Sequence, residues 1–170
     1  ADVAIHQLYF DENSINKFNS NFHVMPPFRS KEDLIALQQA ISEETITAIC
    51  SDHQPHNEDA KQAPFSDTQP GISSIELLLP LLMKLVDQDV LDLNTAIAKV
   101  TSNPSKILGI DSGIIRKGLP ADLCIFKKEE WVFDETKILS AGKNNPFIGK
   151  KFNISVDKTI CNGKIVYEKN

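Results

Sequence analysis

The chain has 170 residues, of which 41% are apolar and 24% charged, the composition of a folded globular protein rather than a disordered tail. Eighteen Lys and Arg against twenty-three Asp and Glu leave a net charge of −5 without a basic cluster, which excludes a surface built to neutralise a run of phosphates and so argues against nucleic acid as a partner. The longest apolar stretch, Ile75 to Val86, is broken by Glu76, Pro80 and Lys84 and is too short and polar to span a bilayer. Ala1-Asp2-Val3-Ala4 has no basic region followed by an apolar one and reads as a cut end rather than a leader. Cys50, Cys124 and Cys161 are scattered among apolar or β-prone residues, with no CxxC pair, and read as buried reduced thiols of a cytoplasmic protein.

In chain order, Val3 to Tyr9 predicts a strand, because β-branched and aromatic residues are dense and no Gly or Pro interrupts them. Ser30 predicts the cap of a helix over Lys31 to Glu43, with Asp33 at its third position and Leu34, Leu37 and Ile41 on one face. Ile46 to Cys50 follows as a short apolar run, and the order helix, buried strand, polar loop, helix is that of a βα unit in a parallel sheet. The loop from Ser51 to Pro70 far exceeds the usual connection of about 4–6 residues, and its residue types favour function over disorder.

Ile72 to Asp87 predicts a mostly buried helix, since Ser73, Glu76, Pro80, Lys84 and Asp87 recur three or four apart, with Pro80 as a kink or the mark of where one turn re-forms. Another helix starts at Asp92, and Asn103-Pro104 offers a cap and a first-turn proline for a short helix ending at Gly109. Beyond Gly109 come short β-prone runs: Ile114-Ile115, Asp122 to Phe126, Ile154 to Val156 and Thr159 to Tyr167, the last holding the hairpin signal Asn162-Gly163. A domain boundary is therefore expected near residue 110, between an α/β part (1–110) and a small β domain (111–170).

The string that carries chemistry is Ser51-Asp52-His53-Gln54-Pro55-His56, directly after a predicted strand. In α/β barrels the loops at strand carboxyl ends build the active site. A carboxylate and imidazoles there can hold a divalent metal, and an Asp beside the metal can also accept a proton from water. The alternative is that Asp52, His53 and His56 are ordinary polar residues of an exposed loop; placement after a buried strand favours function. His6, alone in an apolar run, reads as a hydrogen-bonded structural residue, and His23 as exposed or packed on the Pro26-Pro27 turn. Asn57 to Lys61 reads as a solvated face. Pro70-Gly71 either lets backbone approach a ligand or only turns the chain.

These residues resemble the dihydroorotase family of amidohydrolases. The resemblance rests on Ser51 to His56, Lys61-Gln62-Ala63-Pro64-Phe65, and Pro70-Gly71-Ile72 with Glu76 and Leu79-Pro80-Leu81. It extends to Val3 to Leu8, whose His6-Gln7-Leu8 resembles the His-His-Leu that ends the family's strand, and to Pro26 to Ser30, Asn103 to Gly109, Gly118 to Leu123 and Asn144 to Gly149, and so covers nearly the whole chain. What it implies is the C-terminal part of a (β/α)8 TIM-type barrel followed by the small β domain, with a zinc centre that interconverts dihydroorotate and N-carbamoyl-L-aspartate. Asp52 is then a metal ligand and the general base and acid of ring opening, His56 helps hold the substrate carboxylate, and Pro70-Gly71 contacts the ring.

The sequence also departs from the family. Its His-x-His pair from the first strand, bridging lysine or aspartate, and two further metal histidines have no counterpart in this chain, which holds only four histidines. Met25 stands where the resemblance expects a substrate-binding Asn, and Gln54 and Pro70 replace the usual Ala and aromatic residue. That pattern resembles dihydroorotase-like chains that accompany aspartate transcarbamoylase without activity. Barrel strands that lack their neighbours also predict self-association into a homo-oligomer or a large exposed apolar patch.

Overall fold

The computed structural model describes residues 1–169. Strand β1 (Asp2–Ala4) pairs in parallel with β2 (Ala48–Cys50), in the register Asp2↔Ala48, Val3↔Ile49 and Ala4↔Cys50. Parallel neighbours need a crossover, and helix α1 (Lys31–Ser42) lies on it. Its start is where the sequence predicts: the Ser30 hydroxyl accepts the Asp33 N–H, and the Asp33 carboxylate accepts the Ser30 N–H. Ser30→Ala leaves one first-turn donor without its side-chain acceptor, and we expect a loss of about 1 kcal/mol, read by thermal melting and by faster amide exchange confined to the first turn of α1.

Only the first part of the predicted strand Val3 to Tyr9 is a strand; Ile5–Leu8 turn into a 3₁₀ segment. All four of these residues are buried: Ile5 and Leu8 enter the core, His6 faces Asp52, and Gln7 donates its side-chain amide to the Pro26 carbonyl. A run buried on every side has no period that separates strand from turn.

Past β2 the long loop carries two short 3₁₀ turns, Glu58–Lys61 and Phe65–Asp67. The expected helix over Ile72 to Asp87 begins later: a 3₁₀ turn (Ile75–Leu77) leads into α2 (Leu78–Asp87). Pro80 therefore sits in the first turn of α2, where a missing N–H breaks no intrahelical bond, just past the point at which the 3₁₀ turn gives way to the helix. Helices α3 (Leu93–Val100, capped by the Asp92 carboxylate) and α4 (Ser102–Leu108, closed by left-handed Gly109) follow. Asn103 lies inside α4 rather than capping it, while Pro104 falls in its first turn as expected.

Strands β3 (Leu123–Val132), β4 (Lys151–Cys161) and β5 (Lys164–Glu168) form an antiparallel sheet in that order, with the predicted Asn162-Gly163 turn between the last two. Ile114-Ile115 form no strand. Phe133, Phe147, Phe152 and Ile154 share one apolar cluster with Ile5, Leu8, Leu81 and Leu85, so buried contacts cross residue 110. Leu108, Ile110, Ile114 and Ile115 stand exposed, Ile115 at 92%. The cysteines are free, but Cys124 and Cys161 are exposed and Cys50 half-buried, because β3 and the end of β4 lie at the surface rather than inside the core.

Candidate active site

The parallel register fixes where the chemistry gathers. His6 and Asp52 each follow, by two residues, the last paired positions Ala4 and Cys50. Their side chains meet there, with His6 Nε2 and Asp52 Oδ2 3.8 Å apart. Asp52 has φ of 45°, a left-handed conformation that Asp tolerates better than most residues, and it keeps a third of its side chain open to solvent. The Gln54 amide donates to Asp52 Oδ1 at 2.8 Å.

His6 is 1% exposed, and neither ring nitrogen has a hydrogen-bond partner. The expected structural, hydrogen-bonded histidine is therefore not what the structure shows. Burial pushes the imidazole down to about 4, against the opposing pull of Asp52, so it is neutral near pH 7 and the 3.8 Å contact is not an ion pair. With Nε2 as the lone-pair nitrogen, His6 and the Asp52 carboxylate bring two donor atoms of the kind that hold a divalent cation within 3.8 Å of each other. The sequence signal that finds His6 is its spacing from β1, which mirrors that of Asp52 from β2; the apolar neighbours of His6 conceal it.

The other histidines divide clearly. His53 Nδ1 accepts the N–H groups of Ser74 and Ile75, and Nε2 lies 3.3 Å from Ser140 Oγ, so this ring ties down the entry to α2. Ser140 in turn donates both N–H and O–H to Glu76. Burial works against the Glu76 carboxylate, but those two hydrogen bonds outweigh it and hold the group below its ordinary range. His23 bonds Thr68 and lies against Phe65, packing on the long loop rather than on the proline turn.

His56 Nε2 lies 2.9 Å from the Pro70 carbonyl, which leaves Nδ1 for a ligand. Gly71 has φ of 135°, and a Cβ there would fall 2.5 Å from Gln54 Cβ and 3.0 Å from His56 Nε2, so only glycine lets the two segments close. The Gly71 N–H is already donated to the His23 carbonyl, and its own carbonyl accepts from Asn144 and Lys61. His56, Pro70 and Gly71 are thus brought together, and Gln54 joins them to Asp52.

Lys61, expected on a solvated face, is half-buried. Its ammonium donates to the carbonyls of Ser20, Gln69 and Gly71, while burial pushes it down to about 8. A polar cavity of about 550 Å³ lies beside His56, with Lys61, Lys143 and Asn144 in its wall; Asp52 does not line it. No helix among the described residues is long and apolar enough to cross a membrane.

The chain is 42% identical to a dihydroorotase-like protein of Pseudomonas putida over 98% of its own length and 39% of the relative's. It is 36% identical to a dihydroorotase of Geotalea daltonii over 99% of its length and 40% of that protein's. The chain therefore spans about two-fifths of the curated relatives it matches. The fold overlays on a D-hydantoinase (TM-score 0.89, 21% identity, 99% of this chain and 39% of that one) and on a dihydropyrimidinase from Brevibacillus agri (TM-score 0.90, 21% identity, 98% and 39%). The fold is accordingly α/β, part of a TIM-type barrel with a small antiparallel sheet. Residues 4–166 match the amidohydrolase family, and the chain belongs to that family.

Proposed function

We propose that this chain is the C-terminal part of a metal-dependent cyclic amidohydrolase that interconverts dihydroorotate and N-carbamoyl-L-aspartate in cytoplasmic pyrimidine synthesis. The observation that carries the reading is the convergence of Asp52 and the unpartnered His6 at the carboxyl ends of two parallel strands. Identity to dihydroorotases supports the substrate class. The reading takes 1–110 as the last strands and helices of the barrel and 111–170 as a small β domain, whose final residue Asn170 lies outside the described residues. The exposed Leu108, Ile110, Ile114 and Ile115 are then surface that the rest of the protein, or a second copy in a homo-oligomer, covers.

Amidohydrolases generally depend on a metal, and the residues here suit one. Zinc takes imidazole nitrogen and carboxylate oxygen at about 2.0–2.2 Å each, so donor atoms 3.8 Å apart can share one ion. Among the described residues no group of three or more His, Cys, Asp and Glu is placed to hold a metal, so the reading draws the remaining ligands from elsewhere in the protein. Zinc bound there supplies a Lewis acid that polarises the ring carbonyl and makes water nucleophilic at neutral pH. Asp52 accepts the proton of the attacking water and returns it to the ring nitrogen as the amide bond breaks. In its imidazolium form His56 keeps Nε2–H on the Pro70 carbonyl and donates Nδ1–H to the substrate carboxylate, and Pro70-Gly71 flanks the ring through close approach, since the Gly71 amide is already engaged.

The test is hydrolysis of dihydroorotate by the full-length protein loaded with zinc. Turnover supports the reading, whereas a folded, zinc-loaded protein without turnover moves the assignment to a silent subunit that assembles with aspartate transcarbamoylase. Two observations favour that second reading. Met25, 63% exposed, replaces the amide that the resemblance expects, and the Gln54 donor occupies an Asp52 oxygen. Gln54→Ala removes that donor yet keeps the Cβ that packs on Gly71. If Gln54 restrains Asp52, the substitution raises dihydroorotate turnover by up to about tenfold; unchanged or lower turnover shows that Gln54 is no brake.

A further inference from the structure

Residues 51–56 and 70–74 run side by side, yet a single bridge, His53↔Ile72, and the Gln54 N–H to Ile72 carbonyl bond join them as backbone. Beyond that rung the ladder stops, although the groups assigned to substrate, His56 and Gly71, lie past it. Past it the two segments are joined by the His56 Nε2–Pro70 carbonyl contact and, at three points, by one side chain from far along the sequence. Asn144 Oδ1 accepts the His56 N–H at 2.8 Å, and its Nδ2 donates to the carbonyls of Gln54 at 3.0 Å and Gly71 at 2.9 Å. Both amide hydrogens are spent, the residue is 5% exposed, and its own carbonyl accepts the Ser73 N–H.

The neighbours of Asn144 reinforce the grip. Asn145 Nδ2 donates to the Ser73 carbonyl at 2.6 Å. Gly142 presses backbone on backbone: a Cβ there would lie 2.3 Å from His56 N and 2.6 Å from His56 O. Segment 140–145 thus straps both strands of the site from the side that leads into β4.

We propose that Asn144 is a positioning residue, setting the separation of the His56 and Gly71 segments and hence the fit of the substrate between them. The role given to those segments rests on the function proposed above; the clamp itself rests on the three hydrogen bonds. A residue needed only for folding would weaken the whole molecule, whereas a positioning residue loosens these two segments and the substrate they hold.

The test uses the full-length protein carrying Asn144→Asp, which keeps the acceptor for His56 N–H and loses both donors, and Asn144→Ala, which buries no charge. Amide exchange in 53–57 and 70–74 is expected to accelerate about tenfold or more, with α1 and β4 unchanged. The KM for dihydroorotate is expected to rise about tenfold while kcat changes much less and bound zinc stays the same. Uniform acceleration along the chain, unchanged exchange in both segments, or failure of both variants to fold overturns the proposal. If the wild type does not hydrolyse dihydroorotate, the functional reading fails, and the exchange measurement still decides whether Asn144 sets the geometry of the two segments.

Discussion

Asp52→Asn in the full-length, zinc-loaded protein is expected to lower dihydroorotate turnover about a thousandfold, within the range that a positioned acid–base group contributes. Asn is the informative replacement for two physical reasons. Asp52 has a φ of 45°, which Asn adopts readily and Ala does not, so Asn separates chemistry from backbone strain. An amide oxygen also still accepts the Gln54 donor, so the loop keeps its internal contact. What is lost is negative charge facing His6 and the capacity to take a proton. Steady-state kinetics with a metal assay beside it checks the outcome: a variant retaining a tenth or more of wild-type turnover removes Asp52 from the catalytic role.

Phe133→Ala is expected to cost about 3–5 kcal/mol, the usual penalty for emptying an aromatic site in a packed core. Phe133 is fully buried, with its ring 6.0 Å from Trp131 and 6.4 Å from Phe152, both edge-on. Its carbonyl accepts the Gly149 N–H, and its cluster includes Leu81, Leu85 and Ile5. The destabilisation should therefore reach helix α2 and strand β1 as well as the β3–β5 sheet. Urea unfolding followed separately by Trp131 fluorescence and by amide exchange in α2 checks this. A shift seen by the tryptophan alone would mean that the sheet unfolds as a unit of its own beyond residue 110.

Local chemistry was legible in the sequence wherever one residue type settles one local geometry. Ser30 and Asp33 form the reciprocal cap, α3 starts at Asp92, Gly109 ends α4, and Asn162-Gly163 turns the final hairpin. The long loop after β2 was legible for the same reason, since its polar run follows an apolar one. Features that depend on partners distant in sequence were not. Strand β3 continues through Lys127-Lys128-Glu129-Glu130, a charged run with no alternation, because register shifts after Ile125 and Lys128 break the pattern. Lys127 pairs with Asp157 across the sheet, and Lys169 with Glu129.

In the site, Asp52 could be placed by its strand, but its neighbour His6 could not, because only the β1–β2 register brings the two together. The start of α2 was misplaced because the His53 ring takes the backbone donors of Ser74 and Ile75 ahead of it. Asn144 appeared in the sequence as one member of a motif, and its three bonds to residues 73 to 90 positions away come from the tertiary fold alone.

The contact of Gly142 with His56, tighter than any side chain would permit, also bears on how such proteins can be recombined. A hybrid that takes the Asp52–His56 loop from one relative and the segment before β4 from another joins two surfaces shaped against different partners. Loop and strap should therefore be inherited, or transplanted, as a pair. Crossover points that keep both on one parental side should yield folded hybrids more often than points falling between them, even though the two pieces lie almost ninety residues apart in the chain.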